Sequence, residues 1–290
     1  MLTLALPKGS LEEQTMLLFA QADLEVKKSS REYNPTIGDP RIGKVKILRP
    51  QEIPVFVQDG DFDLGISGFD WVTETGADVV EVADMPYAKT GTGVVSMVLA
   101  VPDDSTVKSA HDIAPGSRIT TEFPNVTRRY FEQLGIPVEV FFSYGATEAK
   151  VPDMMDALVD LTETGSTLRR NGLKIVDTVL TSTTRLLANK AAWADPLKRR
   201  EIEEIRTLLL GVIEARGRVL LSMNVPESRL DEVIAALPAM KHPTVSKLYG
   251  STALEVTTVA DKAGVNILIP QLKAAGAEDI LEMPISKIVR

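Results

Sequence analysis

A chain of 290 residues, 44% hydrophobic and 25% charged, can bury the core of two or three soluble domains, which sets aside fibrous and disordered readings. A formal charge of −8 argues against nucleic acid or an anionic membrane as partner, since both draw on an excess of basic residues. The absence of cysteine removes disulfides, thiolate nucleophiles, zinc fingers and iron–sulfur clusters together.

The apolar start, Met1 to Leu6, is too short for a signal-peptide core, and no window approaches the length of a membrane span, so a cytoplasmic protein is expected. Leu2 to Leu6 reads as a first strand. Ser10 with Glu13 three residues on reads as a capping box for a helix reaching about Ala22. A second strand, Val45 to Leu48, meets Arg49 and Pro50, with proline suited to a first helical position. A third, Phe62 to Ser67, runs into Gly68, Phe69 and Asp70 before another helix. Three such junctions predict a shared crevice at the carboxyl ends of largely parallel strands.

A second group of strands follows at Val94 to Val101, Arg118 to Thr120, Val138 to Phe142 and Ala157 to Leu161, with a helix from about Pro124 to Leu134. Leu173 to Leu180 reads as a strand and Thr183 to Ala192 as a helix. Asp195 and Pro196 start a connecting helix whose apolar stripe is Leu197, Ile202, Ile205, Leu208, Leu209 and Val212. Beyond it, strand 218–224, helix 226–237, strands 244–248 and 253–259, helix 262–275 and strand 279–282 give the ferredoxin-like order βαββαβ.

The chemistry concentrates in Asp156 to Leu168, DALVDLTETGSTL, where an apolar strand enters a hydroxyl- and glycine-rich loop. Backbone N–H groups and hydroxyls of Thr162 to Thr167 can cradle an anion without a lysine, and the upstream carboxylates Asp156 and Asp160 suit the hydroxyls of a sugar phosphate. An ordinary turn capped by Thr164 or Ser166 is the plain alternative. Basic residues able to oppose the overall field cluster at Lys8, Arg49, Arg118, Arg128 with Arg129, and Arg169 with Arg170. The two histidines, His111 and His242, sit in no triad or metal-ligand spacing. What remains suits a displacement driven by positioning and charge stabilisation.

TETGSTLRRNGL, with the preceding DALVDL, resembles the phosphoribosyl-pyrophosphate loop of the ATP phosphoribosyltransferases, the enzymes that open histidine biosynthesis. The resemblance extends through LALPKGSL at the amino end, LRPQEIPVFV at 48–57, DLGISGFDWV at 63–72, TEFPNVTRRYF at 121–131 and YGATEAKVPD at 144–153, and from near Gly211 it is to the regulatory domain of the long form. It implies an α/β fold with two periplasmic-binding-protein-like lobes around a catalytic cleft, lobe I from 1–90 and 178–210 and lobe II from 91–177. A ferredoxin-like, ACT-like regulatory domain at 211–290 completes it. The implied reaction moves a phosphoribosyl group from phosphoribosyl pyrophosphate to N1 of the adenine of ATP, with Mg²⁺ held through substrate oxygens rather than by the protein alone. The resemblance further implies roles in catalysis for Asp156, Asp160, Lys8 and Arg49. It places phosphoribosyl pyrophosphate on Asp160, Thr162, Glu163, Thr164, Gly165, Ser166 and Thr167, and ATP on Gly9, Arg49, Asp70 and Glu122. The Asn125 to Arg129 turn would close on the nucleotide, Glu148 and Lys150 belong to the same surroundings, and Thr244 and Ser246 would serve histidine as inhibitor. A homo-oligomer, dimer and hexamer, is also implied. A noncatalytic small-molecule sensor and an assembly protein are the competing readings; the first lacks an output element and the second leaves the loop unexplained.

Overall fold

The structure, a computed structural model, describes residues 1–29, 33–87, 93–238 and 242–290. The chain divides into two compact units, Met1–Arg206 and Thr207–Arg290. The sequence drew the corresponding border at 210/211, and its border between lobes, at 90/91, lies outside the described residues.

In the first unit the chain runs β1 (Leu2–Pro7), α1 (Glu12–Gln21), β2 (Val26–Lys27), β3 (Thr36–Ile37), β4 (Ile42–Leu48), α2 (Ile53–Gln58), β5 (Leu64–Gly68), α3 (Phe69–Thr75) and β6 (Val80–Asp84). It continues with β7 (Val94–Pro102), β8 (Arg118–Thr121), α4 (Pro124–Leu134), β9 (Glu139–Phe142), β10 (Ala157–Thr162), α5 (Ser166–Arg170), β11 (Leu173–Ala188), α6 (Lys190–Ala194) and α7 (Pro196–Ala215), the last crossing into the second unit. A nine-stranded sheet has the order β4-β1-β5-β11-β7-β10-β8-β9, with β6 also on β11. The triplet β4-β1-β5 is parallel and so is β10-β8-β9, while β7 and β11 run antiparallel where the two lobes meet.

Parallel strands covered on both faces read as unbroken apolar runs, which is why β1 and β5 are buried almost throughout. The first lobe packs Ala5, Ile53, Val57, Phe62, Val72 and Leu187 together. In the second, β7 sends Met97, Leu99 and Val101 to a core with Phe123 and Phe131, and Val98 and Ala100 to an opposite core with Leu158, Leu168 and Leu173. Leu168 thereby fastens α5, and the loop before it, to the sheet.

Several local expectations are corrected. The helix expected over Thr183 to Ala192 forms only from Lys190, in α6: β11 continues to Ala188, because its Thr184 to Ala188 segment pairs with β5 while Arg185 to Ala188 also pair with β6. The N-cap expected at Ser10 falls instead on Leu11, which makes no side-chain cap bond, and α1 begins at Glu12. Proline opens α2 as Pro54, not Pro50. At α7, Asp195 Oδ1 accepts from the backbone N–H of Leu197 at 2.8 Å, as a helix start requires, but Leu197 is 77% exposed and leaves the stripe.

In the second unit, β12 (Arg218–Pro226), α8 (Leu230–Ala236), β13 (Thr244–Lys247), β14 (Ala253–Asp261), α9 (Lys262–Ala274) and β15 (Glu278–Pro284) form an antiparallel sheet of order β13-β14-β12-β15. That is the ferredoxin-like arrangement. Val219, Leu221, Met223, Val225 and Val256 on one face of the sheet pack against Val233, Val265 and Leu272 of the helices.

Candidate functional site

Because β4, β1 and β5 are parallel neighbours, their carboxyl ends release Arg49, Lys8 to Ser10, and Gly68 to Asp70 at one edge of the sheet. Across from them stands the loop after β10. A cavity of about 200 Å³ joins the two walls, lined by Ser10, Gln14 and Asp70 on one side, Leu161 and Glu163 on the other, and Ser182 at the base. Beside it Lys8, Tyr33, Lys46, Arg49 and Glu52 line a hollow of about 320 Å³. Lys8 Nζ donates to Tyr33 Oη at 2.7 Å and lies 4.1 Å from the ring centroid, and that ammonium holds the Tyr33 hydroxyl below the usual phenol range.

Asp70 occupies the second position of α3 and is buried. Gly68 makes room for it: a Cβ there would lie 2.1 Å from Asp70 Oδ1. Its Oδ1 accepts from Trp71 N at 2.7 Å, and its own N–H donates to Ser182 Oγ at 3.0 Å. Burial nevertheless dominates and pushes the carboxyl up to about 6. With the folded pKa above the unfolded one, the cost of keeping Asp70 charged is absent below about pH 4 and complete above about pH 6. Asp70→Asn should therefore stabilise the protein at pH 8 by about 2 to 3 kcal/mol and give no gain at pH 4. Thermal unfolding at the two pH values checks this, and an equal shift at both refutes it.

Asp160 stands at the exit of β10, level with Glu122, which follows β8 in the parallel register. Burial raises its carboxyl to about 6; the Leu161 N–H, donating at 2.7 Å, and the Thr147 hydroxyl oppose that rise, while Glu122 and Glu148 add to it. The loop holds its own shape: Thr162 Oγ1 accepts from Gly165 N at 2.8 Å, Thr164 Oγ1 meets Ser166 Oγ at 3.1 Å, and Arg169 donates to Thr164 O at 2.8 Å. Gly165 adopts φ +69°, a left-handed conformation that carries the chain into α5. Glu163, Thr164, Ser166 and Thr167 remain exposed.

The structure thus brings Lys8, Gly9, Arg49, Asp70, Glu122, Asp160 and residues 162–167 to one region of the first unit. It does not bring Asp156 there. Asp156 precedes β10, at the end of the strand away from the loop, where Oδ2 accepts from Arg118 N at 2.7 Å and Arg118 Nε lies 3.5 Å away. A six-residue strand separates it from the loop by roughly 20 Å, so the two carboxylates four residues apart share a face but not an end. The turn at Asn125 is also differently occupied: Glu74 of α3 accepts from the N–H groups of Asn125 and Val126 at 2.9 and 2.8 Å, so these N-terminal donors of α4 are already taken. Glu74, Ser182 and Thr184 were not anticipated. The Thr-rich run TSTT at 181–184, with its strand-favouring β-branched residues, was the available signal for the last two.

In the second unit a pocket of about 330 Å³ is lined by Arg218, His242, Thr244, Thr257, Thr258 and Arg290 among others. Thr244 belongs to it; Ser246 pairs with Glu255 further along β13 and is not part of the lining. No helix among the described residues is long and apolar enough to cross a membrane.

A family model described as ATP phosphoribosyltransferase matches residues 49–211, and one described as HisG, C-terminal domain, matches 215–287. A relative named ATP phosphoribosyltransferase from Desulforudis audaxviator (strain MP104C) is 49% identical over 288 residues, 99% of each chain. One of the same name from Pelotomaculum thermopropionicum is 48% identical over the same share of each. Among solved structures, the ATP phosphoribosyl transferase (HisG:HisZ) complex from Thermotoga maritima is similar at 29% identity and a TM-score of 0.63, covering 74% of this chain and 99% of that one.

Proposed function

Since the chain belongs to the ATP phosphoribosyltransferase family, we infer that it transfers the 5-phosphoribosyl group of phosphoribosyl pyrophosphate to N1 of the adenine of ATP, releasing diphosphate in the first step of histidine biosynthesis. One observation supports the assignment of the site above all: Leu161 and Glu163, at the end of β10 and in the loop after it, face Ser10, Pro50 and Asp70 of the junctions after β1, β4 and β5 across a single cavity.

Adenine N1 carries no proton to be removed before attack, so no strong base is needed. As diphosphate departs, negative charge grows on it and positive character on the ribose. The backbone and hydroxyls of Thr162, Glu163, Thr164, Gly165, Ser166 and Thr167 enclose the 5′-phosphate, and Asp160, once ionised, accepts hydrogen bonds from the ribose hydroxyls. Lys8, Gly9 and Arg49 supply cationic and N–H contacts to diphosphate or the nucleotide phosphates. Asp70 and Glu122 face the nucleotide. Asp156 is left out of this scheme for its position at the far end of β10.

Magnesium sites of this kind use one or two carboxylates together with substrate phosphates. Asp160, Glu122 and Glu148 offer that donor type beside the sugar site, and among the described residues no three His, Asp or Glu side chains are arranged to hold a cation by themselves. The ion, when bound, neutralises charge on the leaving diphosphate. The second unit is read as the seat of histidine inhibition, with Thr244 rather than Ser246 beside the pocket. A homo-oligomer and a cytoplasmic setting accompany this reading.

Incubation with ATP, phosphoribosyl pyrophosphate and Mg²⁺ should produce the absorbance change of an N1-substituted adenine, require all three components, and slow on addition of histidine. No product under these conditions would reject the reaction; product formation unaffected by histidine would reject only the regulatory part.

A further inference from the structure

Three cations converge on the hollow beside the cavity, of which the scheme above uses two, Lys8 and Arg49, and this inference rests on that reading. The strands explain the convergence. β1 and β4 run parallel with Pro7 beside Leu48, and Lys8 N donates to Leu48 O at 2.7 Å, so Lys8 leaves one strand next to the end of the other. Lys46 lies within β4 and Arg49 directly follows it. Arg49 Nη1 comes within 3.7 Å of the place a Cβ on Gly9 would take, which brings the guanidinium back beside the start of α1. Lys8, Lys46 and Arg49 thus line one hollow of about 320 Å³.

Gathering like charges at a partly dried surface costs free energy unless an anion offsets it. Elsewhere in the first unit comparable cations are neutralised by the chain itself: Lys28 by Glu12, Arg41 by Asp39 and Arg185 by Glu81. Here they are not. Among the described residues, the side chains of Lys46 and Arg49 have no ion pair or hydrogen bond, and Lys8 is bonded only to the uncharged Tyr33 phenol. Glu52 is the one acid in the lining, and it pairs with none of the three. Tyr33 is itself fixed by main chain. β4 is the edge strand of the sheet, and Ile47 N on that strand donates to Tyr33 O at 3.0 Å, which sets the phenol over the hollow where it can hold the Lys8 ammonium.

We propose that Lys46 is a third cationic contact for a chain of linked phosphates seated in this hollow, and that Tyr33 is a positioning residue that holds Lys8 towards it. Three cations spread over the ends of two strands suit linked phosphates, whereas a single phosphate is satisfied by one or two of them. The reaction offers linked phosphates from two sources, the diphosphate of the sugar donor and the triphosphate of ATP, and the chemistry that recognises them is the same.

The test is calorimetry of inorganic pyrophosphate on the full chain in magnesium-free buffer. Lys46→Met should weaken binding about tenfold and reduce its sensitivity to salt, while Lys46→Arg should stay within about threefold of the unaltered protein. Tyr33→Phe should weaken binding about threefold when Lys8 is present and have no effect in a Lys8→Met background, because its action passes through Lys8. An equal loss in both backgrounds overturns the positioning role. No pyrophosphate binding by the unaltered chain, or equal binding after Lys46→Met, overturns the third contact; if Lys46→Met does not fold, Lys46→Gln decides by the same criterion. The same titrations with ATP and with phosphoribosyl pyrophosphate identify the source: a loss in Lys46→Met confined to ATP assigns the hollow to the triphosphate, and one confined to phosphoribosyl pyrophosphate assigns it to the diphosphate, each in support. A chain that loses pyrophosphate affinity in Lys46→Met yet forms no product from the two substrates refutes the transfer and keeps the hollow, so the two failures are told apart.

Discussion

Asp160→Ala should lower kcat/KM for phosphoribosyl pyrophosphate by about a thousandfold and leave a folded protein with undiminished thermal stability at neutral pH. The activity loss follows from two hydrogen bonds between ribose hydroxyls and a charged acceptor, each worth about 1.5 to 3 kcal/mol, and from the loss of orientation at the anomeric carbon. The stability forecast has the opposite sign to the usual one for a truncated side chain. Burial, Glu122 and Glu148 all raise the Asp160 carboxyl, so its ionised form weakens the folded state above about pH 6 and its removal relieves that cost. A parallel measurement of turnover and thermal unfolding separates this from general damage. Activity within tenfold of the unaltered protein, or a collapse of the melting transition, would count against the assignment.

Gly165→Val should be nearly as harmful to turnover, and for a reason that lies in the backbone. At φ +69° a β-branched residue is strained by about 1 to 3 kcal/mol, and its Cβ would stand 2.9 Å from the Arg169 guanidinium and 3.0 Å from Ile175 Cδ1. Arg169 can swing away, since its bond is to Thr164 O at the exposed surface; Ile175 belongs to β11 and yields less. Relief by backbone rotation would break the 2.8 Å bond from Gly165 N to Thr162 and disperse the N–H groups that face the phosphate. Binding of phosphoribosyl pyrophosphate, measured by calorimetry, should weaken at least about a hundredfold, with melting lowered only modestly. Gly165→Asn, which tolerates the left-handed region, should retain more binding than the valine variant; equal binding in both would show that conformation at this position is not what matters.

Much of this site was legible because it depends on local chemistry. The strand-to-helix junctions at Lys8, Arg49 and Asp70, the loop 162–167 and the span of α4 are written in short stretches of sequence whose meaning does not require a distant partner. The failures share the opposite property. Whether Thr183 to Ala188 is helix or strand is decided by β5 and β6, more than a hundred residues earlier, and not by Leu186 and Leu187, which suit either. Asp156 and Asp160 look equivalent four residues apart, and only the direction of β10 distinguishes the end that meets solvent beside Arg118 from the end that meets the cavity. Glu74 reads as one more carboxylate on a short helix until α4 arrives with two N–H groups that need an acceptor. The ferredoxin-like order of the second unit could be read in full because each of its elements is bounded by its own periodicity.

The 16 residues of β11 have a mechanical consequence. The strand is bonded to β7 in the second lobe through Thr183 and to β5 in the first from Thr184, so the jaws of the cleft are laced along one ribbon of backbone instead of swinging on a slack tether. Glu74 of α3 adds a stitch at the mouth by holding the first turn of α4. The irregular register after Ile175 and Thr178 lies within the β7 pairing, so the crossing from one lobe to the other at Thr183 and Thr184 is itself regular ladder.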